Sequence, residues 1–223
     1  MINIAIDGPA GAGKSTISRR AAAALGYIYI DTGALYRTVG LFMLRNGVDT
    51  TNAAQVEAAL ALAPQVELRF LNGEQRMFLN GDDVSADIRT PEASMAASRV
   101  SAVPAVRAFL FDLQKQLAHS NNCIMDGRDI GTVVLPDAQV KIFLTASPES
   151  RAERRYLELR EKGMEVPYED VLADMIERDY NDAHRAIAPL KPAADAIMLD
   201  TSGNELEQSV DLVLSTIRSA LKA

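Results

Sequence analysis

Ile2–Thr16 reads INIAIDGPAGAGKST, and this stretch decides the fold. Its first residues are mostly apolar and suit a short buried strand. The run breaks into Gly8-Pro9-Ala10-Gly11-Ala12-Gly13 and resumes with helical texture at Lys14. Gly8, Gly13, Lys14 and Ser15 fill every fixed position of the phosphate-loop pattern G-x-x-x-x-G-K-[ST]. Glycines let the backbone curl so that several N–H groups face inward and cradle phosphate oxygens. The helix that starts near Gly13 aims its positive dipole end at the same place. The loop from Gly8 to Thr16 is therefore expected to hold a purine nucleoside triphosphate. ATP is the commoner outcome, and no N-K-x-D guanine motif stands out. Lys14 would reach the β- and γ-phosphates, and the Ser15 hydroxyl would ligate Mg²⁺.

Working outward, Ser15–Leu25 reads as a helix closed by Gly26, and Tyr27–Ile30 as a second strand. Asp31-Thr32-Gly33 leads into a helix from about Ala34 to Asn46. Strand, helix, strand with a phosphate loop at the first turn opens a right-handed, parallel α/β sheet. Ligands gather beyond the C-terminal strand ends of such sheets. Thr32, Tyr36 and Arg37 lie just past one of those ends and are candidates for a second substrate. Further strands are expected at Cys123–Asp126, Val140–Leu144 and Ala196–Leu199, making five. Helices are expected over about 51–63, over 91–120 with a break at Pro104, and at 148–163, 168–184 and 205–220. Ser147 and Pro148 supply an N-cap and first helical residue. Between Ala63 and Arg89 the texture changes. Val66–Phe70, Arg76–Leu79 and Val84-Ser85, with turns at Asn72-Gly73-Glu74 and Asn80-Gly81, read as an antiparallel meander inserted into the parallel pattern. Such an insert is either filler or a mobile substrate-binding flap.

Beyond the loop, arginines recur with acids. Cys123–Asp126 runs straight into Gly127-Arg128-Asp129-Ile130-Gly131-Thr132. Asp126 or Asp129 could help hold Mg²⁺ or its waters, and the planar fork of Arg128 suits a phosphate. Arg151, Arg154 and Arg155 are spaced i, i+3, i+4 and share a helix face. Glu153, Glu158 and Glu161 could instead neutralise them on a solvated helix. Arg178, Asp182 and Arg185, at i, i+4, i+7, also share a face and could clamp a phosphate and take a sugar hydroxyl; salt-bridging with Asp174 is the plainer alternative. Ser98 and Arg107 sit in Ala-rich surroundings and on their own read as solvated positions.

Composition narrows the classes. The chain has 223 residues, 48% of them hydrophobic, enough for a single domain with inserts and a substantial core. A net charge of −7 argues against a nucleic-acid surface but not against a small anion held by local arginines. The one cysteine, Cys123, excludes an internal disulfide framework and reads as an inert core thiol. No run approaches membrane-spanning length, and no basic segment followed by an apolar one opens the chain. The expectation is a cytoplasmic monomer that binds neither membrane nor nucleic acid.

A phosphate loop, few histidines, no nucleophile–base pair and arginines in several segments together describe phosphoryl transfer, which rests on positioning and charge stabilisation. A phosphate acceptor is already an anionic nucleophile near neutral pH, so no general base is needed. The chain resembles the bacterial-type cytidylate kinases, a P-loop nucleoside monophosphate kinase family. The resemblance is carried by GPAGAGKST (Gly8–Thr16), DTGALYR (Asp31–Arg37), DVSADIRTPE (Asp83–Glu92), DGRDIGTVVLPDA (Asp126–Ala138), KIFLTAS (Lys141–Ser147) and the run from Glu177 to Leu190. It implies an α/β P-loop three-layer fold: a five-stranded parallel sheet, a small antiparallel nucleotide-monophosphate-binding insert over 63–89, and an arginine-rich lid with its flanking helix over 148–185. The core would comprise 1–62, 90–147 and 186–223. The resemblance further implies Mg²⁺-dependent transfer of the ATP γ-phosphate to CMP or dCMP, giving CDP or dCDP. Lys14, Arg128 and Arg185 would be catalytic, and Arg151, Arg154 and Arg155 would bind ATP together with the loop Gly8–Thr16. Ser98, Arg107 and Asp129 would read cytosine. Asp182, helped by Arg178, would take the sugar. Arg37, Arg128 and Arg185, with Thr32 and Tyr36 nearby, would hold the CMP phosphate. Two alternatives stay open: a kinase for another small acceptor such as UMP, and a slow ATP-hydrolysing switch.

Overall fold

The chain resolves into two units in the computed structural model, which describes residues 1–71, 73–161 and 163–222. One unit holds Met1–Tyr29 and the chain from Asn121 onward; the other holds Ile30–Ser120. In chain order, β1 (Asn3–Asp7) passes through the glycine loop into α1 (Lys14–Leu25), and β2 (Ile28–Asp31) follows. The second unit contains α2 (Thr32–Arg45), α3 (Ala53–Leu60), β3 (Val66–Leu71), β4 (Glu74–Leu79), β5 (Asp82–Asp83), α4 (Pro91–Val100) and α5 (Pro104–Ser120). The chain returns with β6 (Cys123–Gly127), β7 (Val140–Thr145), α6 (Pro148–Glu161), α7 (Tyr168–His184), β8 (Ile197–Asp200) and α8 (Leu206–Ala220).

The fold class is as the sequence leads one to expect. A five-stranded sheet is ordered β2–β6–β1–β7–β8, with the β1–β6, β1–β7 and β7–β8 pairs parallel. β1 lies in the middle, which explains its unbroken apolar run: Ile4, Ala5 and Ile6 are wholly buried. Ile17 and Ala21 of α1 pack on one side of this core with Val210, Val213 and Ile217 of α8. At the end of β1 the chain must turn within an already filled space. Gly8 has φ +152°, and a Cβ there would lie 1.9 Å from the Leu144 carbonyl oxygen, so only glycine is accommodated.

In the other unit β3, β4 and β5 form the expected antiparallel meander, with Val66 opposite Leu79 and Phe78 opposite Asp83. Asn72, part of the turn expected at 72–74, lies outside the described residues. Met77, Leu79 and Val84 of this meander join Leu35, Val39 and Met43 of α2 and Val100 of α4 in one core. α2 and α4 pack so closely that a Cβ on Gly40 would stand 2.9 Å from the Ala97 amide nitrogen and 3.0 Å from the Ala96 Cβ.

Local chemistry moves several boundaries. α2 begins at Thr32 rather than Ala34 because the Asp31 carboxylate caps it, accepting from the Ala34 amide at 2.9 Å. The helix expected over 51–63 is confined to Ala53–Leu60 by the Asn52 cap before it and a left-handed Ala63 after it. Ser147 does cap α6, its hydroxyl accepting from the Ser150 amide at 3.1 Å. Arg185 departs from its expected helical spacing. It is the residue after α7, with extended backbone (ψ 141°), so only Arg178 and Asp182 of that trio owe their placement to the helix.

The α2–α4 approach makes a direct prediction. Gly40→Val should cost about 1–3 kcal/mol through overpacking, read as a lower urea midpoint. An unchanged midpoint would contradict the close approach.

Candidate active site

The phosphate loop is built by the unit that carries β1. Lys14, the first residue of α1, is buried and turns its Nζ back to donate to the carbonyl oxygens of Gly8 and Pro9, at 2.7 Å each. Burial, and secondarily the nearby Arg128 charge, lower its pKa well below the usual lysine range. Next to it the Ser15 hydroxyl donates to Asp126 Oδ2 at 2.9 Å, while Asp126 Oδ1 accepts from the Tyr29 hydroxyl at 3.0 Å. Among the described residues no cluster of three or more His, Cys, Asp or Glu could cage a metal. A hydroxyl and a carboxylate side by side instead suit Mg²⁺, which takes one or two protein oxygens and completes its shell with water and phosphate. Of the two acids left open by the sequence, Asp126 is the one against Ser15. Asp129 instead faces Arg185, whose Nη2 lies 3.6 Å from its Oδ1.

The segment after β6 carries the densest charge. Arg128 Nε donates to Asp182 Oδ2 at 2.9 Å, and its Nη1 donates to the Gly127 carbonyl at 3.2 Å. Asp182 is buried, which alone would raise its pKa. The Arg128 charge and hydrogen bond, with Arg178 and Arg185 beyond, more than offset this and hold it below the usual carboxylate range. Asp182 is thus ionised and acceptor-only. Arg185 is fixed by donating from Nε to the Ala188 carbonyl at 2.6 Å.

The expected arginine face of α6 separates into three different settings. Arg151 is buried, and its guanidinium donates to the carbonyls of Ala10 (2.9 Å) and Ala146 (2.8 Å) and grips Asp179 with both Nη atoms. It shapes the phosphate loop from behind. Arg154 donates from Nη2 to the Thr201 carbonyl at 2.8 Å, and its Nη1 is 3.9 Å from where a Gly13 Cβ would sit. Arg155 pairs with Glu158 on the surface at 2.9 Å, the neutralisation that the acids of this helix allow.

The other unit positions the remaining expected residues by its own contacts. Asp31 uses one carboxylate oxygen to cap α2 and the other to accept from Arg37 Nη2 at 2.8 Å. Thr32 opens the helix and is buried. The Arg107 guanidinium lies 5.8 Å from the Tyr36 ring centre, and its Nη1 donates to the Ser101 carbonyl at 3.4 Å. Ser98, one turn earlier on α4, offers its carbonyl to the Ser101 hydroxyl at 2.8 Å. Cys123 stays out of the chemistry, since burial pushes its thiol up to about 12.

Three side chains belong to these arrangements that sequence reasoning did not single out. Asp7 ends β1, is buried, and accepts from the Ile130 amide at 2.8 Å and the Gly131 amide at 2.7 Å, one on each oxygen. Tyr29 holds Asp126. Gln75 of β4 accepts from the Asp31 amide at 2.8 Å and donates to its carbonyl at 3.3 Å, tying the meander to the start of α2. For Asp7 a signal did exist: an acid closing an otherwise apolar buried strand needs a partner.

The sequence profile of the family described as Cytidylate kinase matches residues 4–219. A protein named Cytidylate kinase from Caldicellulosiruptor bescii is 48% identical over 221 residues, covering 99% of this chain and 97% of that one. Another of that name, from Thermosipho melanesiensis, is 46% identical over 219 residues and covers 98% of each chain. Among solved structures, an uncharacterized protein from Eubacterium ventriosum superposes with a TM-score of 0.54 at 12% identity, over 98% of this chain and 99% of that one. A gluconokinase from Sinorhizobium meliloti does so with 0.50 at 16% identity, over 99% and 94%. At such identities these two speak for the fold alone.

The Asp7 carboxyl is raised from 3.8 to about 6, burial outweighing its two amide bonds and Lys14, with Asp129 adding to the rise. A raised acid contributes stability that is fully present below its unfolded value and is lost as pH climbs through about 6. Asp7→Asn should therefore gain on the wild type by about 1–2 kcal/mol between pH 5 and pH 7.5 in urea unfolding. A stability difference that stays flat with pH would contradict the burial argument.

Proposed function

The chain belongs to the cytidylate kinase family, whose enzymes phosphorylate CMP and dCMP with ATP, and on that premise we propose which of its side chains do the work. The carrying observation is the pair of half-buried Arg128 with buried Asp182 in the same unit as the phosphate loop, with Arg178 and Arg185 adding further positive charge at Asp182. Guanidinium charge concentrated this way suits an acceptor that is itself a phosphate.

In this reading the backbone of Gly8–Thr16 cradles the ATP phosphates. Lys14 exchanges its two carbonyl partners for phosphate oxygens, which a lysine at the mouth of a helix does readily. Ser15 and Asp126 would hold Mg²⁺, which when bound neutralises charge on the β- and γ-phosphates. Arg154 attends the donor side, and Arg151 keeps the loop in shape. Arg128 and Arg185 bind the acceptor phosphate and balance charge on the transferring group. No side chain needs to act as general base, because the acceptor oxygen is already anionic near neutral pH. Asp182, ionised and acceptor-only, takes sugar hydroxyls with Arg178 beside it. Asp129, Arg107 and Ser98 read the cytosine edge, and Thr32, Tyr36 and Arg37 serve the CMP phosphate. The enzyme is read as a cytoplasmic monomer acting on small anions. A net charge of −7 offers no general attraction for nucleic acid.

Two measurements test the assignment. ADP release should be rapid only when CMP is present, and kcat/KM for CMP should exceed that for UMP at least about tenfold, since a mismatched buried hydrogen bond costs about 1–3 kcal/mol. Equal values for the two pyrimidines would remove the cytosine-reading set. Arg185→Ala should lower turnover about 100-fold or more while leaving ATP affinity within a few-fold, as expected of a group acting on the acceptor and the transferring phosphoryl. Parallel loss of ATP binding would place Arg185 on the donor side instead.

A further inference from the structure

Asp7 carries a feature that the reaction scheme does not use. Its backbone pairs in the sheet with Gly127, the last residue of β6. Its side chain then reaches past the strand end and accepts from the amides of Ile130 and Gly131. The dipeptide Arg128-Asp129 is therefore suspended between two points, and a single residue sets both.

The arrangement is tight. Asp7 and Asp129 are both buried and repel one another, since the Asp129 charge raises the Asp7 pKa. Such a juxtaposition persists only where other bonds over-determine it. Gly131 leaves little slack, because a Cβ there would lie 3.4 Å from Asp7 Oδ2 and 3.2 Å from the Lys141 Cδ. With 128 and 129 so confined, Arg128 is delivered to Asp182 and Asp129 to Arg185.

We propose that Asp7 is a positioning residue for the acceptor side of the reaction, its two carboxylate–amide bonds fixing where Arg128 and Asp129 present their side chains. The inference rests on the acceptor roles given above to Arg128 and Asp129. Asp7 itself touches neither nucleotide. Its effect is directional, because its side-chain hydrogen bonds go to Ile130 and Gly131, while toward the phosphate loop it acts only as an anion that favours the charged form of Lys14. Removing its charge relieves a repulsion toward the triphosphate and lowers the Lys14 pKa, two effects of opposite sign, so ATP affinity should change little while the acceptor contacts lose their alignment.

Asp7→Asn keeps the size of the side chain but turns an NH₂ toward one of the two amides, so one bond is lost and replaced by a donor–donor clash. The expected result is a fall in kcat/KM for CMP of tenfold or more, with the ATP dissociation constant, measured by calorimetry without CMP, unchanged within threefold. A CMP constant within threefold of wild type would overturn the proposal, and so would parallel weakening of ATP. Hydrogen exchange at the Ile130 and Gly131 amides of the wild-type enzyme gives a readout that needs neither variant nor CMP. Both should be strongly protected, and exchange at the rate of an open loop would overturn the proposal even if CMP proves to be the substrate. Protected amides in an enzyme indifferent to CMP would instead count against the acceptor assignment and leave the two carboxylate bonds standing.

Discussion

Charge held out of water at the strand tips is the constraint around which this molecule is arranged. Asp7, Lys14, Asp126, Asp129, Arg151 and Asp182 are all buried, in one unit of the chain. Burying an ion costs several kcal/mol unless partners compensate it. Here each anion has them: amides for Asp7, hydroxyls for Asp126, guanidinium groups for Asp129 and Asp182. A fold selected for stability alone would do as well with apolar residues in these places. The arrangement makes sense as a preorganised receptor for phosphate, where dipoles and charges are fixed before the ligand arrives and need no reorganisation during transfer.

The sheet is the means by which that receptor is held together. β1 sits between β6 and β7, so the phosphate loop that leaves β1, the Arg128 segment that leaves β6 and the α6 arginines that follow β7 all emerge at the same end. Glycine at position 8 lets the loop pass against the Leu144 carbonyl, and Arg151 braces it through the Ala10 carbonyl. On the proposed reading, phosphoryl transfer depends on geometry and electrostatics already built into strand order, with little chemistry left for any single side chain.

Much of this was legible in the chain itself. The phosphate loop, the five strand runs, the meander and the break at Pro104 all follow from local pattern, because strand burial, turn chemistry and glycine conformations are written within a few residues of each other. What escaped was long-range. Asp7 meets Ile130 across 123 positions and Tyr29 meets Asp126 across 97, distances over which periodicity carries no information. The arginines of α6 share a face by spacing, yet one braces a loop, one contacts a carbonyl and one pairs with Glu158, since packing on that face varies along the helix. Arg185 sits just beyond α7, where the helix cap rather than the helical repeat directs the chain. The family motifs supplied the candidate residues; only the fold explains why Asp126, not Asp129, stands against Ser15.

The most direct test of a charge-based receptor asks what the acceptor phosphate is worth. Calorimetry would compare the affinities of CMP and cytidine for the wild-type enzyme and for Arg128→Ala. Charge-assisted hydrogen bonds contribute about 1.5–3 kcal/mol, so the wild type should prefer CMP by about 100-fold or more, and Arg128→Ala should shrink that preference by at least about tenfold. If the variant keeps the full preference for CMP over cytidine, the Arg128 guanidinium does not read the phosphate and the account fails.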